Sequence, residues 1–326
     1  MTERIAGIDA LRGVAVGLVM LRHAFPDLLP GAGVVGVVMF FALSGHLITG
    51  LLLDELAGAG RLDLRRFYLR RARRLVPALL ALVATVVVVT LVFDPLGDRD
   101  QLLRTTVVAL TWTGDLPFEH GGEATFHLWT LAMEEQFYLV WPLVLTAAFT
   151  RRLVFSAFAA SAALCFLAAV ATSIWLREEP DLAYTLPTSW AICFVIGGAS
   201  ALVARRGVPV AGAGPALLAL LVLCAVPLRG QATTYLVAAP AIALLACVVL
   251  LSWREWRTVD HPLLKGLVLL GTVSYAAYLW NYPLSLWVGG LAAIPLTLVA
   301  AALSWRYVEE PVRQRVRLPD RVSLRP

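Results

Sequence analysis

Residues 7–26 read GIDALRGVAVGLVMLRHAFP, an apolar stretch long enough to cross a bilayer that nevertheless contains Arg12 and His23. In a helix these two residues lie on nearly one face and about 16 Å apart along the axis, roughly half of the ~30 Å hydrocarbon thickness. Ionisable residues inside membranes usually face a protein interior or a water-filled cavity. Two interpretations stay open here: an active-site histidine reached from one side of the membrane, or an interfacial helix end from which Arg12 extends to the headgroups.

The composition predicts a membrane protein. The chain has 326 residues, of which 60% are hydrophobic, and a mean hydropathy of +0.78, whereas average usage is ~45–50% apolar. Apolar runs recur from one end to the other, so we expect a protein that crosses the membrane many times. The first run contains Arg12 and His23 and has no small-residue cleavage pattern, which excludes a cleaved signal peptide.

Charge and cysteine usage exclude two other classes of function. The net charge is +5, but the arginines cluster at the ends of apolar runs, as membrane orientation requires, so we expect no nucleic-acid partner. The cysteines lie singly inside apolar segments, and no spacing is typical of a zinc or redox site, so we expect no metal. The four cysteines are Cys165, Cys193, Cys224 and Cys247.

The apolar runs predict an all-α fold with about ten transmembrane helices. The candidate spans are 8–28, 33–56, 75–93, 128–149, 153–176, 185–204, 210–227, 231–252, 266–288 and 294–310. Arginine is concentrated in alternate loops, so the positive-inside rule places those loops and both termini in the cytoplasm. An eleventh crossing would reverse this pattern, so we expect an outer re-entrant or interfacial helix near 101–113. Without a linker or repeat, residues 1–326 are expected to form one domain.

Seven arginines lie between Arg61 and Arg74, directly before the third predicted span. Arg71 and Arg74 are three residues apart and share a helix face. Anionic lipid headgroups are one explanation for this charge. Guanidinium groups also suit bidentate phosphate contacts, and this second explanation predicts a nucleotide-tailed cofactor bound at the cytoplasmic face.

Two glutamates, Glu134 and Glu135, lie near the start of the fourth predicted span, and Tyr138 shares a face with the first of them. A bare carboxylate at depth costs ~2.5–3.5 kcal/mol, which favours a functional role. An interfacial helix start, where acidic residues are favoured, is the alternative. This end faces outward, so we expect Glu134 in the half that holds His23, where a carboxylate beside the imidazole would fix its tautomer. His127 lies about one turn earlier and is a candidate for the same chamber.

A polar and aromatic stripe occupies residues 271–283, where Ser274, Tyr278 and Asn281 share a helix face. Hydrogen bonding between helices explains this stripe at least as well as substrate contact does. His46 is a second intramembrane histidine, but no carboxylate lies near it in the sequence.

Six short motifs follow one another along the chain. They are Gly7–Arg12 with His23, Phe40–Gly45, Phe67–Arg74, His127–Trp129 through Glu134–Tyr138, Ser274–Trp280 and Tyr307–Pro311. Each motif alone is modest, but their order across the whole chain resembles the bacterial integral-membrane acyltransferase family, acyltransferase family three.

The resemblance implies a ten-helix protein of the bacterial cytoplasmic membrane that moves an acyl group, often acetyl, from cytoplasmic acyl-CoA to a hydroxyl of a carbohydrate or glycolipid. Acyl-CoA is then a donor substrate and not a permanently bound cofactor, and membrane lipids are the remaining partners. The resemblance implies that His23 is catalytic with Glu134 as a supporting carboxylate. It also implies that Arg12 is the motif partner of His23 and that Arg71 and Arg74 lie at the coenzyme A end. We assign all three arginines to donor binding. Our candidates for substrate binding are Glu135, His127, Trp129, Tyr138, Ser274, Tyr278 and Asn281.

The chain departs from the family pattern at three positions. Many relatives have aspartate in place of Val38, histidine in place of Asn281 and arginine near Ser189. These losses indicate a different acceptor pocket or weaker activity. The alternatives are acylation of a sugar on a secondary metabolite of the macrolide type, a sugar or lipid transporter, and a non-catalytic membrane partner.

Overall fold

The computed structural model of the chain describes residues 5–118 and 121–315, and every regular element within them is helical, as the sequence predicts. The helices are α1 (Ala6–Ala24), α2 (Ala32–Ala59), α3 (Leu64–Val92), α4 (Leu102–Thr111), α5 (Trp129–Thr150), α6 (Val154–Trp175), α7 (Pro180–Thr185), α8 (Pro187–Arg205), α9 (Ala213–Cys224), α10 (Ala239–Trp253), α11 (Pro262–Thr272), α12 (Ser274–Val288), α13 (Gly290–Ser304) and α14 (Glu310–Arg315). π-helical turns at Thr234–Ala238 and Trp305–Glu309 lead into α10 and α14.

Helix α3 begins eleven residues before the predicted span at 75–93 and includes most of the arginine block. Asp63 caps its first turn, because the Asp63 carboxylate accepts a hydrogen bond of 2.9 Å from the backbone N–H of Arg66. The continuous helix places Arg71 and Arg74 on one face, as predicted from their spacing.

Helix α2 is the centre of the molecule, and α1, α5, α8, α9 and α10 pack around it. Glycines allow the close approach of α2 to α8. Gly45 of α2 lies against the backbone carbonyl of Phe194 in α8, and Gly197 of α8 lies against the carbonyl of Ala42. Small residues let membrane helices approach this closely, and the crossing fixes the depth of the polar residues that α2 carries.

The predicted span at 266–288 is wrong as one continuous helix. The chain bends by 80° between α11 and α12. The two parts have different neighbours, since α11 packs along α1 whereas α12 packs along α13. The bend brings the polar stripe of α12 beneath the end of α1, where His23 lies.

Within the described residues, six helical segments are long and apolar enough to cross a membrane, and α11 with α12 makes a seventh if the bent pair is one span. These segments are Ala32–Ala59, Leu64–Val92, Val154–Trp175, Pro180–Arg205, Thr234–Trp253 and Gly290–Val312. The chain is therefore a multi-pass membrane protein, while ten crossings and two cytoplasmic termini stay predictions. Helix α4, with ten residues, is about 15 Å long and too short to span alone. Residues 316–326 at the C-terminal end lie outside the described residues.

Candidate active site

One cavity, with about 790 Å³ of space including its opening, lies between α1, α2, α3, α5 and α12. Seven of the residues singled out from the sequence line it together: Arg12, Arg71, Arg74, Glu134, Tyr138, Ser274 and Tyr278. Apolar side chains such as Phe40 and Leu47 complete the wall. A concave, largely apolar space with a few convergent charged groups is typical of a small-molecule site. We call it the arginine cavity.

Arg71 is held in a fixed orientation in the arginine cavity. Its guanidinium carbon lies 3.3 Å from the centroid of the Tyr138 ring. Its Nη2 lies 3.5 Å from Oε1 of Glu135. Its Nε is buried without a hydrogen-bond partner among the described residues. The Tyr138 ring and the Glu135 carboxylate therefore orient the guanidinium of Arg71. Its Nε–H is still available to donate a hydrogen bond.

Glu134 is anchored by two hydroxyl groups, and both bonds are 3.0 Å long. Ser44 donates to its Oε1, and Tyr138 donates to its Oε2. The positive charges of Arg71 and Arg12 act on this carboxylate. The expectation that Glu134 lies beside His23 is wrong, because the depth and rotation of α5 direct this side chain to the arginines instead.

His23 lies outside the arginine cavity, at the opposite end of α1 from Arg12. Its Nδ1 is 2.5 Å from Oδ1 of Asn281 in α12. The amide nitrogen of Asn281 donates to Oγ1 of Thr297 in α13 at 3.2 Å. An amide therefore lies beside His23, where the sequence predicts a carboxylate.

His127 lies in the same group as His23, and the ring of Tyr282 connects them. The ring centroids are 5.2 Å apart for His23 and Tyr282, and 5.1 Å apart for His127 and Tyr282. His127 Nε2 donates to the backbone carbonyl of Leu279 at 3.1 Å. Its Nδ1 is buried without a partner among the described residues. We call the group of His23, His127, Asn281 and Tyr282 the histidine chamber.

Tyr278 and Thr130 belong to both parts of the site. Both line the arginine cavity, and their hydroxyl oxygens are 2.6 Å apart. Each hydroxyl also lies 3.1 Å from the backbone carbonyl of His127. These two residues therefore form the wall between the arginine cavity and the histidine chamber.

Two residues predicted to bind substrate belong to neither the arginine cavity nor the histidine chamber. Trp129 is 3% exposed and packs among Phe41, Tyr184 and Trp190, so it belongs to the core. Glu135 pairs with Arg71 and does not line the cavity.

Sequence reasoning missed Tyr282 and Thr297. Tyr282 could have been identified from its position, because it follows Tyr278 by four residues and shares its helix face. No sequence signal indicated Thr297.

Residues 5–305 match the model of an acyltransferase domain, that of acyltransferase family three. The chain belongs to this acyltransferase family. The peptidoglycan O-acetyltransferase OatA of Listeria monocytogenes is 27% identical over 95% of the chain and 56% of its own length. The putative peptidoglycan O-acetyltransferase YrhL of Bacillus subtilis is 30% identical over 95% of the chain and 55% of its own length.

The O-acetyltransferase OatA of Staphylococcus aureus is 39% identical over a shorter region, which covers 44% of the chain and 25% of the relative. The chain spans about half the length, or less, of these curated relatives. No solved structure matches it. Family membership explains the ordered motifs, and the geometry divides their residues between the arginine cavity and the histidine chamber.

Proposed function

We propose that this membrane acyltransferase moves an acetyl group from acetyl-CoA, bound from the cytoplasmic side, to a hydroxyl of an envelope carbohydrate at the outer half of the membrane. The observation that carries the proposal is that two polar residues of α1 belong to two different parts of the site. Arg12 lines the arginine cavity, and His23, about 16 Å further along the helix, belongs to the histidine chamber. The donor and the acceptor then approach from opposite ends.

The arginine cavity is the proposed donor site. Arg12, Arg71 and Arg74 converge on it, and guanidinium groups favour the bidentate contacts that phosphates accept. The apolar wall suits the uncharged arm that carries the thioester. The buried Nε of Arg71, which lacks a partner among the described residues, is a donor that such a ligand would satisfy.

The histidine chamber is the proposed site of transfer. Neutral His23 removes the proton of the acceptor hydroxyl, whose oxygen attacks the thioester carbonyl. The carbon–sulfur bond breaks and the coenzyme A thiolate leaves. His23 then passes its proton to this thiolate. General-base help of this kind is typically worth ~10²–10⁴-fold in rate. No covalent intermediate on the protein is needed.

The names of two relatives support a peptidoglycan sugar as the acceptor. A sugar on a secondary metabolite is the less supported alternative within the same chemistry. Family membership favours acyl transfer over the transporter and over the non-catalytic partner. The bacterial cytoplasmic membrane is the location at which both substrates are accessible.

The test uses membranes that contain the protein and acetyl-CoA labelled in the acetyl group. Release of coenzyme A measures use of the donor, and base-labile label in the peptidoglycan, lipid and soluble fractions identifies the acceptor class. We expect His23→Ala to abolish transfer. The control is His261→Ala, at an exposed histidine before α11. Unchanged transfer by an inserted His23→Ala protein contradicts the proposed function.

A further inference from the structure

Helix α12 makes hydrogen bonds to both histidines of the histidine chamber. Asn281 contacts Nδ1 of His23, and the carbonyl of Leu279, two residues earlier, contacts Nε2 of His127. Asn281 is itself held by Thr297 of α13. Asn281 and Thr297 are buried, with 1% and 0% of their surface exposed, so neither of these polar groups has access to bulk solvent.

The chemistry of these partners determines the tautomer of each neutral ring. An amide oxygen only accepts, so the contact with Asn281 Oδ1 requires the proton of His23 on Nδ1. The lone pair of His23 then lies on Nε2. A backbone carbonyl also only accepts, so His127 carries its proton on Nε2 and its lone pair on Nδ1. Two neighbouring histidines are thus held in opposite tautomers by one helix.

We propose that Asn281, held in place by Thr297, is a positioning residue that keeps the proton of neutral His23 on Nδ1 and presents Nε2 to the acceptor hydroxyl. The inference rests on the proposed function, in which His23 is the base. Nε2 takes the hydroxyl proton, the new carbon–oxygen bond forms as the carbon–sulfur bond breaks, and the same proton passes from Nε2 to the leaving thiolate. Throughout, the proton on Nδ1 stays in the bond to Asn281.

Thr297 holds the amide of Asn281 in place by one hydrogen bond. Its Oγ1 accepts a hydrogen bond from Nδ2 of Asn281, which leaves Oδ1 as the atom that faces His23. Rotation of the amide by 180° would turn its NH₂ group towards His23 and favour the opposite tautomer, in which Nε2 carries the proton and cannot act as a base. The amide orientation seen beside Thr297, with Oδ1 facing His23, is therefore the one that leaves Nε2 of His23 without a proton.

The first experiment measures the tautomers directly and needs no acceptor. The full chain is labelled with ¹⁵N-histidine and studied by NMR in detergent at alkaline pH, with His23→Ala and His127→Ala for assignment. We expect a protonated Nδ1 for His23 and a protonated Nε2 for His127. In Asn281→Leu the His23 signals should become those of a tautomer mixture, while unchanged His127 signals report an intact fold. A protonated Nε2 on wild-type His23, or His23 signals unaffected by Asn281→Leu, overturns the inference.

The second experiment measures transfer of labelled acetyl groups. Because general-base help is worth ~10²–10⁴-fold, misplacing the lone pair should lower kcat of Asn281→Leu by at least about 10-fold. KM for acetyl-CoA should stay within about twofold, since the donor site is separate. Asn281→Asp keeps an acceptor oxygen and should restore most of kcat. Thr297→Val should lose activity and Thr297→Ser should retain it.

The proposed function and the positioning role of Asn281 are contradicted by different results. If His23→Ala is fully active, the proposed function fails whatever the tautomers are. If His23→Ala is inactive but Asn281→Leu has the kcat of the wild type, only the positioning role of Asn281 fails. A loss in Asn281→Leu that Asn281→Asp does not restore also contradicts the positioning role, because it then reflects packing and not the acceptor oxygen.

Discussion

The guanidinium of Arg71 stacks on the ring of Tyr138, with 3.3 Å between the guanidinium carbon and the ring centroid. The hydroxyl of the same tyrosine donates to Glu134. One side chain thus orients both a cation and an anion in the arginine cavity. The stack also joins α3 to α5, so the donor site depends on how these two helices pack.

We predict that Arg71→Lys raises KM for acetyl-CoA about 5- to 10-fold and changes kcat less, because lysine keeps the charge but loses the planar stack, and a cation–π contact is worth ~0.5–2 kcal/mol. Steady-state kinetics in membranes measure both constants. The matched control is Arg73→Lys, which changes an exposed arginine of the same helix and should leave KM unaltered. Equal KM values for the two variants contradict the assignment of Arg71 to the donor site.

We predict that Glu134→Leu lowers the free energy of unfolding by about 3 kcal/mol, because each buried donor left without its acceptor typically costs ~1–3 kcal/mol. The variant leaves the hydroxyls of Ser44 and Tyr138 without their acceptor. Glu134→Gln retains an acceptor oxygen, so its free energy of unfolding should fall less. Thermal unfolding in detergent compares the variants, with Glu178→Leu at an exposed position as the control. A Glu134→Leu protein as stable as the wild type would show that the carboxylate is dispensable for the fold.

We predict that Gly45→Ala destabilises the fold by ~1–3 kcal/mol, as overpacking of a close contact does. A methyl group at this position would collide with the backbone carbonyl of Phe194. The control lies on the same helix: a methyl group at Gly50 meets no atom within 4 Å, so Gly50→Ala should be neutral or stabilising by ~0.5–1 kcal/mol. Thermal unfolding and yield of inserted protein distinguish the two. Equal stability would contradict the close crossing of α2 and α8.

We predict a pH-dependent contribution to stability from Asp115, in the loop after α4. Burial raises the pKa of this carboxyl from 3.8 to about 6, against the opposing effect of the bond that Gln136 donates to it. The folded state therefore binds more protons than the unfolded state between about pH 4 and 6. Stability falls as pH rises through this window, then levels off.

Asp115→Asn should abolish this dependence and stabilise the protein at neutral pH by about 2–3 kcal/mol, since one pKa unit corresponds to ~1.4 kcal/mol. Thermal midpoints between pH 4 and 8 measure the effect. Asp260→Asn, at an exposed aspartate before α11, is the control and should follow the wild type. Parallel pH profiles for wild type and Asp115→Asn would rule out a raised pKa at this position.

Local properties of the chain determined the fold class and the family. Long apolar runs require helices in a membrane, because only an internally hydrogen-bonded backbone is stable there. Ionisable residues inside those runs, such as Arg12, His23 and Glu134, identified the candidate site, because their cost in an apolar segment is visible in the sequence. The spacing of Arg71 and Arg74 predicted their common face, and the order of six motifs predicted the family that the comparison confirms.

Only the tertiary structure decided which of these residues meet. Asn281 and not Glu134 contacts His23, across 258 positions in the chain. That pairing depends on the 80° bend between α11 and α12 and on the rotation and depth of α5, which no local pattern specifies. Thr297 lies in an apolar helix with no motif, so its bond to Asn281 follows from packing alone. The sequence marks costly polar groups in the membrane, and helix packing assigns each of them its partner.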